Sequence, residues 1–272
     1  MQLTLTQINI YPIKSLRGVS VESAEVLARG LRHDRRWMLV DENGLFLSQR
    51  TVAAMARFEV GLSDDAVVVA HGPRECRIPF SALEPEEAEA DRAEVQVWSS
   101  QLTAPLMGEE FDAFFTQALG TPCRLVGMRA DTRRAVNPEY SEPGDETSFA
   151  DGFPFLIIGE ATLAELNGRL DEPVEMNRFR PNLVFGGGEP GDEDNWDRFT
   201  VGGIPFRAVK PCSRCVIVTT DQRTGQRLGP EPLRTLARYR AVEGKVMFGQ
   251  NLLTRGTGMV GLGAPIEVIS RK

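Results

Sequence analysis

Hydrophobic and polar residues alternate in many short segments of the chain, a pattern typical of β-strands. The first segment contains Leu3, Leu5, Ile8 and Ile10, and the change of register between the two pairs predicts a β-bulge. A turn over residues 41–44 predicts a hairpin that joins strands over 36–40 and 45–47. Further strands are predicted over residues 67–69, 95–98, 155–158, 216–221 and 265–269.

Three segments carry apolar residues at helical spacing instead. The first contains Phe111, Phe114 and Phe115, and Gly120 follows at the position of a C-terminal cap. We interpret these phenylalanines as core residues rather than as an aromatic ligand box. Two shorter helices are predicted after residues 159–160 and from residues 231–232. Their apolar positions are Leu163, Leu166, Leu170, Leu233, Leu236 and Tyr239.

Many short strands, few helices and no regular βαβ alternation favour an α+β fold that is rich in barrel-like sheet. The patterning is interrupted between residues 120 and 148, where polar and proline-containing segments occur. This interruption separates an N-terminal β-rich module from a C-terminal module. We interpret the acidic stretch over residues 83–91 as a solvated loop.

The composition is that of a globular chain, with 272 residues, of which 42% are hydrophobic and 25% are charged. The net charge of −7 argues against a nucleic-acid or anionic-membrane partner held by bulk charge, but leaves room for a local basic pocket. No apolar run approaches the ~18 residues of a membrane span, and the N-terminus does not resemble a secretory signal. Four cysteines in a chain of this length make no disulfide framework, so we expect a cytoplasmic protein.

Two of the four cysteines, Cys212 and Cys215, form a CxxC motif. A structural zinc site needs four ligands, and the remaining cysteines and both histidines provide no second half-site. A redox-active CxxC usually begins a helix, whereas the β-branched residues after Cys215 predict a strand. The motif therefore needs another explanation.

Short motifs along the whole chain supply one. In order, they are YPIKS (11–15), GLRHDRRW (30–37), SQR (48–50), FADGFP (149–154), NRFRPN (177–182), KPCSRC (210–215) and FGQN (248–251). This ordered set resembles the MOSC-domain proteins with an N-terminal β-barrel (MOSC_N) module, in particular the bacterial YcbX-type proteins and the mitochondrial amidoxime-reducing components. The resemblance implies a MOSC_N-like β-barrel module over residues 1–122, packed on a MOSC domain over residues 123–272.

The resemblance also implies a molybdenum cofactor (molybdenum–molybdopterin) held between the two modules. Cys215 matches the position of the family's molybdenum ligand. The resemblance therefore implies that Cys215 is both the metal-binding and the catalytic residue. A metal bound to soft dithiolene sulfurs accepts a thiolate, and the adjacent Arg214 favours the thiolate form. Only one thiolate is needed, so the simpler role for Cys212 is that of a small buried residue.

Nine further positions match the family's cofactor-contacting residues. They are Lys14, Arg50, Asp151, Gly152, Arg180, Asn182, Ser213, Arg214 and Asn251. The basic residues suit an anionic phosphate, which arginine can bind through two parallel hydrogen bonds. Gly152 and Asn251 depart from the mitochondrial proteins, which carry a small hydroxyl residue and a tyrosine there. Asp34 and Arg35 match as well, and a buried ion pair that orients the N-terminal module is an equally good interpretation.

The resemblance implies an enzyme that reduces N-hydroxylated compounds, namely hydroxylamines, amidoximes or N-hydroxylated nucleobases. Such a reaction uses two electrons and two protons and releases the oxygen as water. Neither histidine is among the residues that match the family's cofactor contacts, so we expect the protons to come through water. The chain lacks the C-x4-C-x2-C spacing of a plant-type iron–sulfur domain, so the electrons are expected from a separate flavoprotein or ferredoxin.

Two other functional hypotheses stay open. The first is a molybdenum-cofactor carrier or sulfur-transfer protein without reductase turnover, because the MOSC domain is also part of a cofactor sulfurase. The second is a structural CxxC with an adventitious metal. No pyridoxal phosphate, nucleic-acid or membrane partner is expected under the leading hypothesis.

Overall fold

The computed structural model describes residues 2–84 and 91–272, and over these residues the protein is mostly β-sheet. The strands are β1 (Thr4–Ile10), β2 (Val19–Val21), β3 (Ser23–Leu27), β4 (Gly30–Leu31), β5 (Trp37–Val40), β6 (Glu59–Leu62), β7 (Ala66–His71), β8 (Arg74–Pro79), β9 (Arg92–Val97), β10 (Ser100–Pro105), β11 (Arg124–Gly127), β12 (Phe155–Gly159), β13 (Leu183–Gly186), β14 (Trp196–Val201), β15 (Ile204–Arg214), β16 (Ala241–Val242), β17 (Lys245–Thr254), β18 (Gly258–Gly261) and β19 (Ile266–Arg271). The α-helices are α1 (Glu109–Leu119), α2 (Glu160–Asn167) and α3 (Leu233–Ala237). Short 3-10 helices cover Ala53–Arg57, Phe80–Leu83, Met176–Arg178, Asp192–Asn195 and Val216–Thr219.

A nine-stranded sheet carries most of the C-terminal half in the order β19-β14-β15-β17-β12-β13-β1-β2, with β16 added to β17. Its neighbouring strands are antiparallel except for β12 and β13, which run parallel. The large side chains of Phe155, Trp196, Phe199 and Phe206 form the core on this sheet. This mixture of a barrel-like sheet with few helices confirms the predicted α+β class.

Smaller sheets build the N-terminal half: β5 with β11, β9 with β10, β6 to β8, and β3 between β4 and β18. Helix α1 packs its predicted apolar stripe here, because Phe111 and Phe115 join Trp37 and Phe58 in one buried cluster. The helix ends at Gly120, whose φ of 68° is the left-handed conformation of a glycine cap. The prediction for this helix is therefore confirmed.

The two halves of the chain are interleaved in space. Strands β1 and β2 pair inside the sheet of the C-terminal half, and β18 returns to pair with β3. Strand β11, which follows residue 122, pairs with β5. The sheets thus do not divide at one point of the sequence, and the division at residues 122 and 123 stays a prediction. The interleaving brings the segment after β1 directly against the C-terminal half.

The finer sequence predictions had mixed outcomes. The bulge in β1 is confirmed, because the register shifts between Leu5 and Gln7. The predicted return strand over 45–47 is wrong: these residues form no strand and contribute isolated bridges from Phe46 to Val40 and from Leu45 to Gln96, with a further hydrogen bond from Leu47 N to Leu39 O. Helices α2 and α3 end before Leu170 and Tyr239, so they are shorter than predicted. Residues 85–90 of the predicted acidic loop lie outside the described residues.

The α1 core gives a first stability prediction. Phe115 is fully buried, whereas Phe114 is only partly buried against the same cluster. Replacing Phe115 by alanine should lower the free energy of unfolding by about 3–5 kcal/mol, because a large apolar side chain is lost and a cavity remains. Urea denaturation measures this loss, and Phe114→Ala is the matched control with a smaller expected loss. Equal losses would contradict the packing described.

Candidate functional site

A cleft of about 860 Å³, including its open mouth, lies between segments of the two halves of the chain. All ten residues predicted from the motifs line it. They are Lys14, Arg50, Asp151, Gly152, Arg180, Asn182, Ser213, Arg214, Cys215 and Asn251. The motifs that are separated along the sequence thus meet at one place, while the individual roles of these residues stay predictions.

Lys14 and Asp151 form an ion pair in the cleft, with 2.6 Å between Nζ and Oδ1. The lysine side chain is 5% exposed and also donates to the carbonyl of Phe149, whereas the Asp151 side chain is 67% exposed. Burial lowers the pKa of Lys14 to about 8, although Asp151 opposes the change. Desolvation would raise the pKa of Asp151, but Lys14 and the Trp98 indole hold it well below its usual range.

Tyr11 separates two arginines of the cleft. The guanidinium carbons of Arg35 and Arg180 lie 4.5 and 4.3 Å from the centre of its ring, within the range of cation–π attraction. The tyrosine hydroxyl donates to the carbonyl of Pro181. Burial raises its pKa to about 12 and lowers the pKa of Arg180 to about 10. Tyr11 therefore holds two cations side by side without neutralising them.

The sequence left two interpretations of Arg35 open, a buried ion pair with Asp34 and a position in the cofactor site, and the surroundings of Arg35 are compatible with both. Its guanidinium pairs with the fully buried Asp34 at 2.6 Å, which raises the pKa of Arg35 although burial opposes the charge. The same Nη1 atom donates to Oδ1 of Asn182, at 3.1 Å. Asp34 in turn accepts a hydrogen bond from the backbone N–H of Tyr11. The ion pair orients the N-terminal segment, and Arg35 also lines the cleft.

This ion pair gives a second stability prediction. Arg35→Leu leaves the Asp34 carboxylate buried without its counter-charge, which should lower the free energy of unfolding by about 3–5 kcal/mol. Arg77→Leu is the matched control, because Arg77 pairs with Asp65 on the surface, and its loss should stay within about 1 kcal/mol. Urea denaturation of both variants checks the difference. A loss for Arg35→Leu no larger than that of the control would contradict a buried pair.

The CxxC segment differs from its prediction. Cys212 lies in the long strand β15, and Cys215 follows its end. The strand predicted after Cys215 is wrong, because Val216–Thr219 forms a 3-10 helix in which Val218 N donates to Cys215 O. Burial of Val218 and Thr219 outweighs the β propensity of the branched residues. Both cysteines are free thiols, and burial raises the pKa of Cys212 although Arg214 opposes the change.

Arg214 lies next to Cys215, and one of its three guanidinium nitrogens makes no hydrogen bond to the described residues. Its Nε donates to the carbonyl of Phe248 at 2.9 Å, and its Nη1 to the carbonyl of Phe179 at 2.8 Å. These bonds fix the plane of the guanidinium. The remaining Nη2 atom is buried without a hydrogen-bond partner among the described residues. Buried polar groups are nearly always satisfied, so this atom is a donor available to an acceptor on a bound group.

The remaining predicted residues have simpler surroundings. Asn182 is buried and donates to the carbonyl of Asn9. Asn251 lies on β17, and its amide is 3.5 Å from the carbonyl of Pro211 on the neighbouring strand β15. Ser213 is exposed at the mouth. A Cβ atom built on Gly152 would meet no atom within 4 Å, so this position leaves space open in the cleft.

The charge of the cleft is opposite to that of the chain. Six basic side chains line it against one carboxylate, that of Asp151. The basic residues are Lys14, Arg35, Arg50, Arg178, Arg180 and Arg214. The basic side chains and the free Nη2 atom of Arg214 fit an anionic group that accepts hydrogen bonds. The thiol of Cys215 fits a metal that binds a thiolate.

Three residues that shape the cleft were missed at the level of sequence. Trp98 stacks under Arg50 at 4.3 Å and donates to Asp151. Arg178 pairs with Asp221 at 3.4 Å, and its place inside the NRFRPN motif was a usable signal. Arg134 donates to the carbonyls of Ser148, Ala150 and Asp151 and thereby holds the segment that carries the carboxylate. Only long-range contacts show its role.

Comparison with known families agrees with the sequence resemblance. A family model of the MOSC N-terminal beta barrel domain matches residues 2–122, and one of the MOSC domain matches residues 144–267. No helix over residues 2–84 and 91–272 combines the length and the apolar character that crossing a membrane requires.

Three relatives show the range of the similarity. Mitochondrial amidoxime-reducing component 1 of Homo sapiens is 30% identical, over 98% of this chain and 83% of its own length. Mitochondrial amidoxime reducing component 2 of Bos taurus is 32% identical, over 87% and 72%. Molybdenum cofactor sulfurase of Oryza sativa subsp. japonica is 32% identical over 90% of this chain. The chain spans only 32% of the length of that sulfurase.

Proposed function

Because the chain belongs to the family that joins a MOSC N-terminal β-barrel domain to a MOSC domain, we propose that it is a molybdenum-cofactor enzyme that reduces N-hydroxylated compounds. Hydroxylamines, amidoximes and N-hydroxylated nucleobases are the substrate classes. The observation that carries the proposal is one cleft with a free thiol at Cys215 and six basic side chains in an acidic protein. The names of the two amidoxime-reducing relatives support the reaction class.

Different residues of the cleft would hold different parts of the cofactor. Cys215 would provide the thiolate ligand, and Arg214 would use its free Nη2 atom for a polar acceptor of the pterin or phosphate. Arg180 and Arg50 would neutralise the phosphate charge, while Asn182, Ser213 and Asn251 offer hydrogen bonds. When bound, the cofactor supplies the two-electron chemistry that breaks the N–O bond.

The chain itself would position the substrate. The Asp151 carboxylate is the sole acidic side chain among the described residues that line the cleft, and its Oδ2 atom accepts no hydrogen bond from another described residue. Hydroxylamines and amidoximes carry N–H donors, so this oxygen would accept one of them. The basic residues around it keep the carboxylate ionised. Electrons would come from a separate flavoprotein or ferredoxin.

The test is an assay of protein produced in cells with an intact molybdenum-cofactor pathway. An aromatic amidoxime and an aromatic hydroxylamine serve as substrates, and a chemically reduced viologen dye replaces the electron-donor protein. We expect conversion to the amidine and the amine at a rate proportional to the molybdenum content. Protein that contains molybdenum but converts neither substrate would contradict the reductase function.

The similarity to the sulfurase favours one alternative, a cofactor carrier or sulfur-transfer protein. That function would place a persulfide on Cys215, which mass spectrometry of the purified protein detects as the added mass of one sulfur atom. A persulfide together with an inactive molybdenum-loaded protein would support it. Turnover of N-hydroxylated substrates without a persulfide would support the reductase.

A further inference from the structure

The reduction of an N–O bond consumes protons, and the cleft contains a candidate source at a residue for which the motifs predict only a cofactor contact. A hydroxylamine takes up two electrons and two protons, its N–O bond breaks, and an amine and water leave. No histidine lines the cleft among the described residues. The buried ammonium group of Lys14 is a proton donor in the cleft lining, and its surroundings differ from those of the arginines.

We propose that Lys14 is the general acid of the cleft: its ammonium protonates the oxygen of the N–O bond as that bond breaks, and Asp151 holds the ammonium in place. This inference rests on the proposed reductase function. The cofactor, when bound, would supply the electron pair, and a reduced electron carrier would replace that pair. The oxygen leaves as water, and the second proton reaches the nitrogen from solvent. The neutral amine of Lys14 then takes a proton from solvent and restores the ammonium.

Two hydrogen bonds hold the ammonium of Lys14 in the cleft lining. Lys14 Nζ donates to Asp151 Oδ1 at 2.6 Å and to the carbonyl of Phe149 at 2.9 Å. An ammonium has three N–H groups, so one stays available for a substrate. The Asp151 side chain is largely exposed in the cleft, so the pair connects a buried donor to solvent. Arg134 fixes the backbone of residues 148–151 and with it both acceptors of Lys14.

The charges around Lys14 keep its proton available. Asp151 faces it from the segment before β12, while Arg134 and Arg35 face it from two other segments and disfavour its charge. Burial lowers the pKa of Lys14 to about 8, which makes it a stronger acid than a surface lysine. Burial lowers the pKa of Arg180 only to about 10, and the pKa of Arg35 is raised by Asp34 although burial opposes it, so these two arginines are much poorer donors. A general acid works best with a pKa near the operating pH.

The experiment compares the pH dependence of kcat, normalised to molybdenum content, in the wild type and in Lys14→Arg. The wild type should lose activity tenfold per pH unit above about pH 8, because the protonated form disappears as the pH rises through that pKa. Lys14→Arg should be slower by about 10²–10⁴-fold and should lose this decline, because arginine stays protonated. Lys210→Arg is the matched control, since Lys210 lies over Tyr140 outside the cleft lining, and should keep the wild-type profile.

A second variant and a direct titration complete the test. Asp151→Asn removes the charge that stabilises the ammonium, so the decline in kcat should move to lower pH. NMR titration of ¹³C-labelled lysine side chains in cofactor-free protein should show a resonance with a pKa near 8 that is absent in Lys14→Arg. If the wild type is active and Lys14→Arg shows the same pH profile as the wild type, this proposal alone is overturned. A molybdenum-loaded wild type without turnover overturns both this proposal and the reductase function.

Discussion

Cys215→Ala should abolish the reduction of N-hydroxylated substrates, with a loss of at least ~100-fold in kcat. Changes to the partners of a metal's ligands already cost 10–100-fold in affinity or activity, and the removal of a ligand itself should cost more. The thiol makes no hydrogen bond that caps the following 3-10 helix, so the folded protein should keep its stability. The measurement pairs steady-state kinetics with thermal unfolding.

Cys212→Ala is the matched control for this variant. Cys212 packs against the core cluster of the C-terminal half, and burial raises the pKa of its thiol, which disfavours the thiolate that a metal requires. Its loss should therefore leave most of the activity. Activity that survives in Cys215→Ala but disappears in Cys212→Ala would reverse the assignment of the ligand.

Arg214→Lys should lose most of its bound cofactor, with a decrease of about tenfold or more in molybdenum and pterin content, although the charge is retained. Lysine cannot reproduce the planar fork of arginine. In the wild type, two guanidinium nitrogens hold the carbonyls of Phe248 and Phe179, and the third is free for the ligand. A lysine would leave a buried carbonyl unsatisfied, at a cost of about 1–3 kcal/mol in the free energy of unfolding.

The measurement for Arg214→Lys combines metal analysis, pterin fluorescence after oxidation and urea denaturation of the cofactor-free protein. Arg234→Lys is the control, because Arg234 pairs with Glu231 on the surface and should change none of the three quantities. Full cofactor content in Arg214→Lys would contradict the role of the free Nη2 atom. A stability loss without any loss of cofactor would assign Arg214 a purely structural role.

The sequence predicted those features that depend on local pattern or on ordered motifs. The stripe of Phe111 and Phe115 specifies a helix and its buried face, and Gly120 specifies its end. The motif residues meet in one cleft, although Lys14 and Cys215 are 201 positions apart, because β1 joins the sheet that also contains β15 and β17. A motif set can therefore locate a cleft before any contact is known.

Features decided by long-range contacts were not predictable in the same way. Strand β5 forms its ladder with β11, whereas residues 45–47 reach β5 only through an isolated bridge and one backbone hydrogen bond. Val216–Thr219 forms a 3-10 helix in which two residues are buried, and Val218 packs in a core cluster of the C-terminal half. Trp98 contributes to the cleft through a contact with Asp151, more than 50 residues away. None of these partners has a local signal in the sequence.

The proposed role of Lys14 as a proton source could not be predicted from the sequence either. A lysine in the motif YPIKS is a cation by composition, and its position matches a cofactor-contacting residue of the family. Only the structure shows that Lys14 is buried, that Asp151 fixes its ammonium and that burial lowers its pKa to about 8. The environment of the residue, rather than its type, distinguishes a proton donor from a phosphate anchor.

The most direct test of the central claim is the metal and pterin content of the purified protein. The protein should be produced in cells that load a control molybdoenzyme under the same conditions. A cleft with one thiolate ligand and six basic side chains predicts stoichiometric molybdenum and pterin in the wild type and a strong decrease in Cys215→Ala. A wild type without molybdenum and pterin, or with stoichiometric zinc in their place, would contradict it.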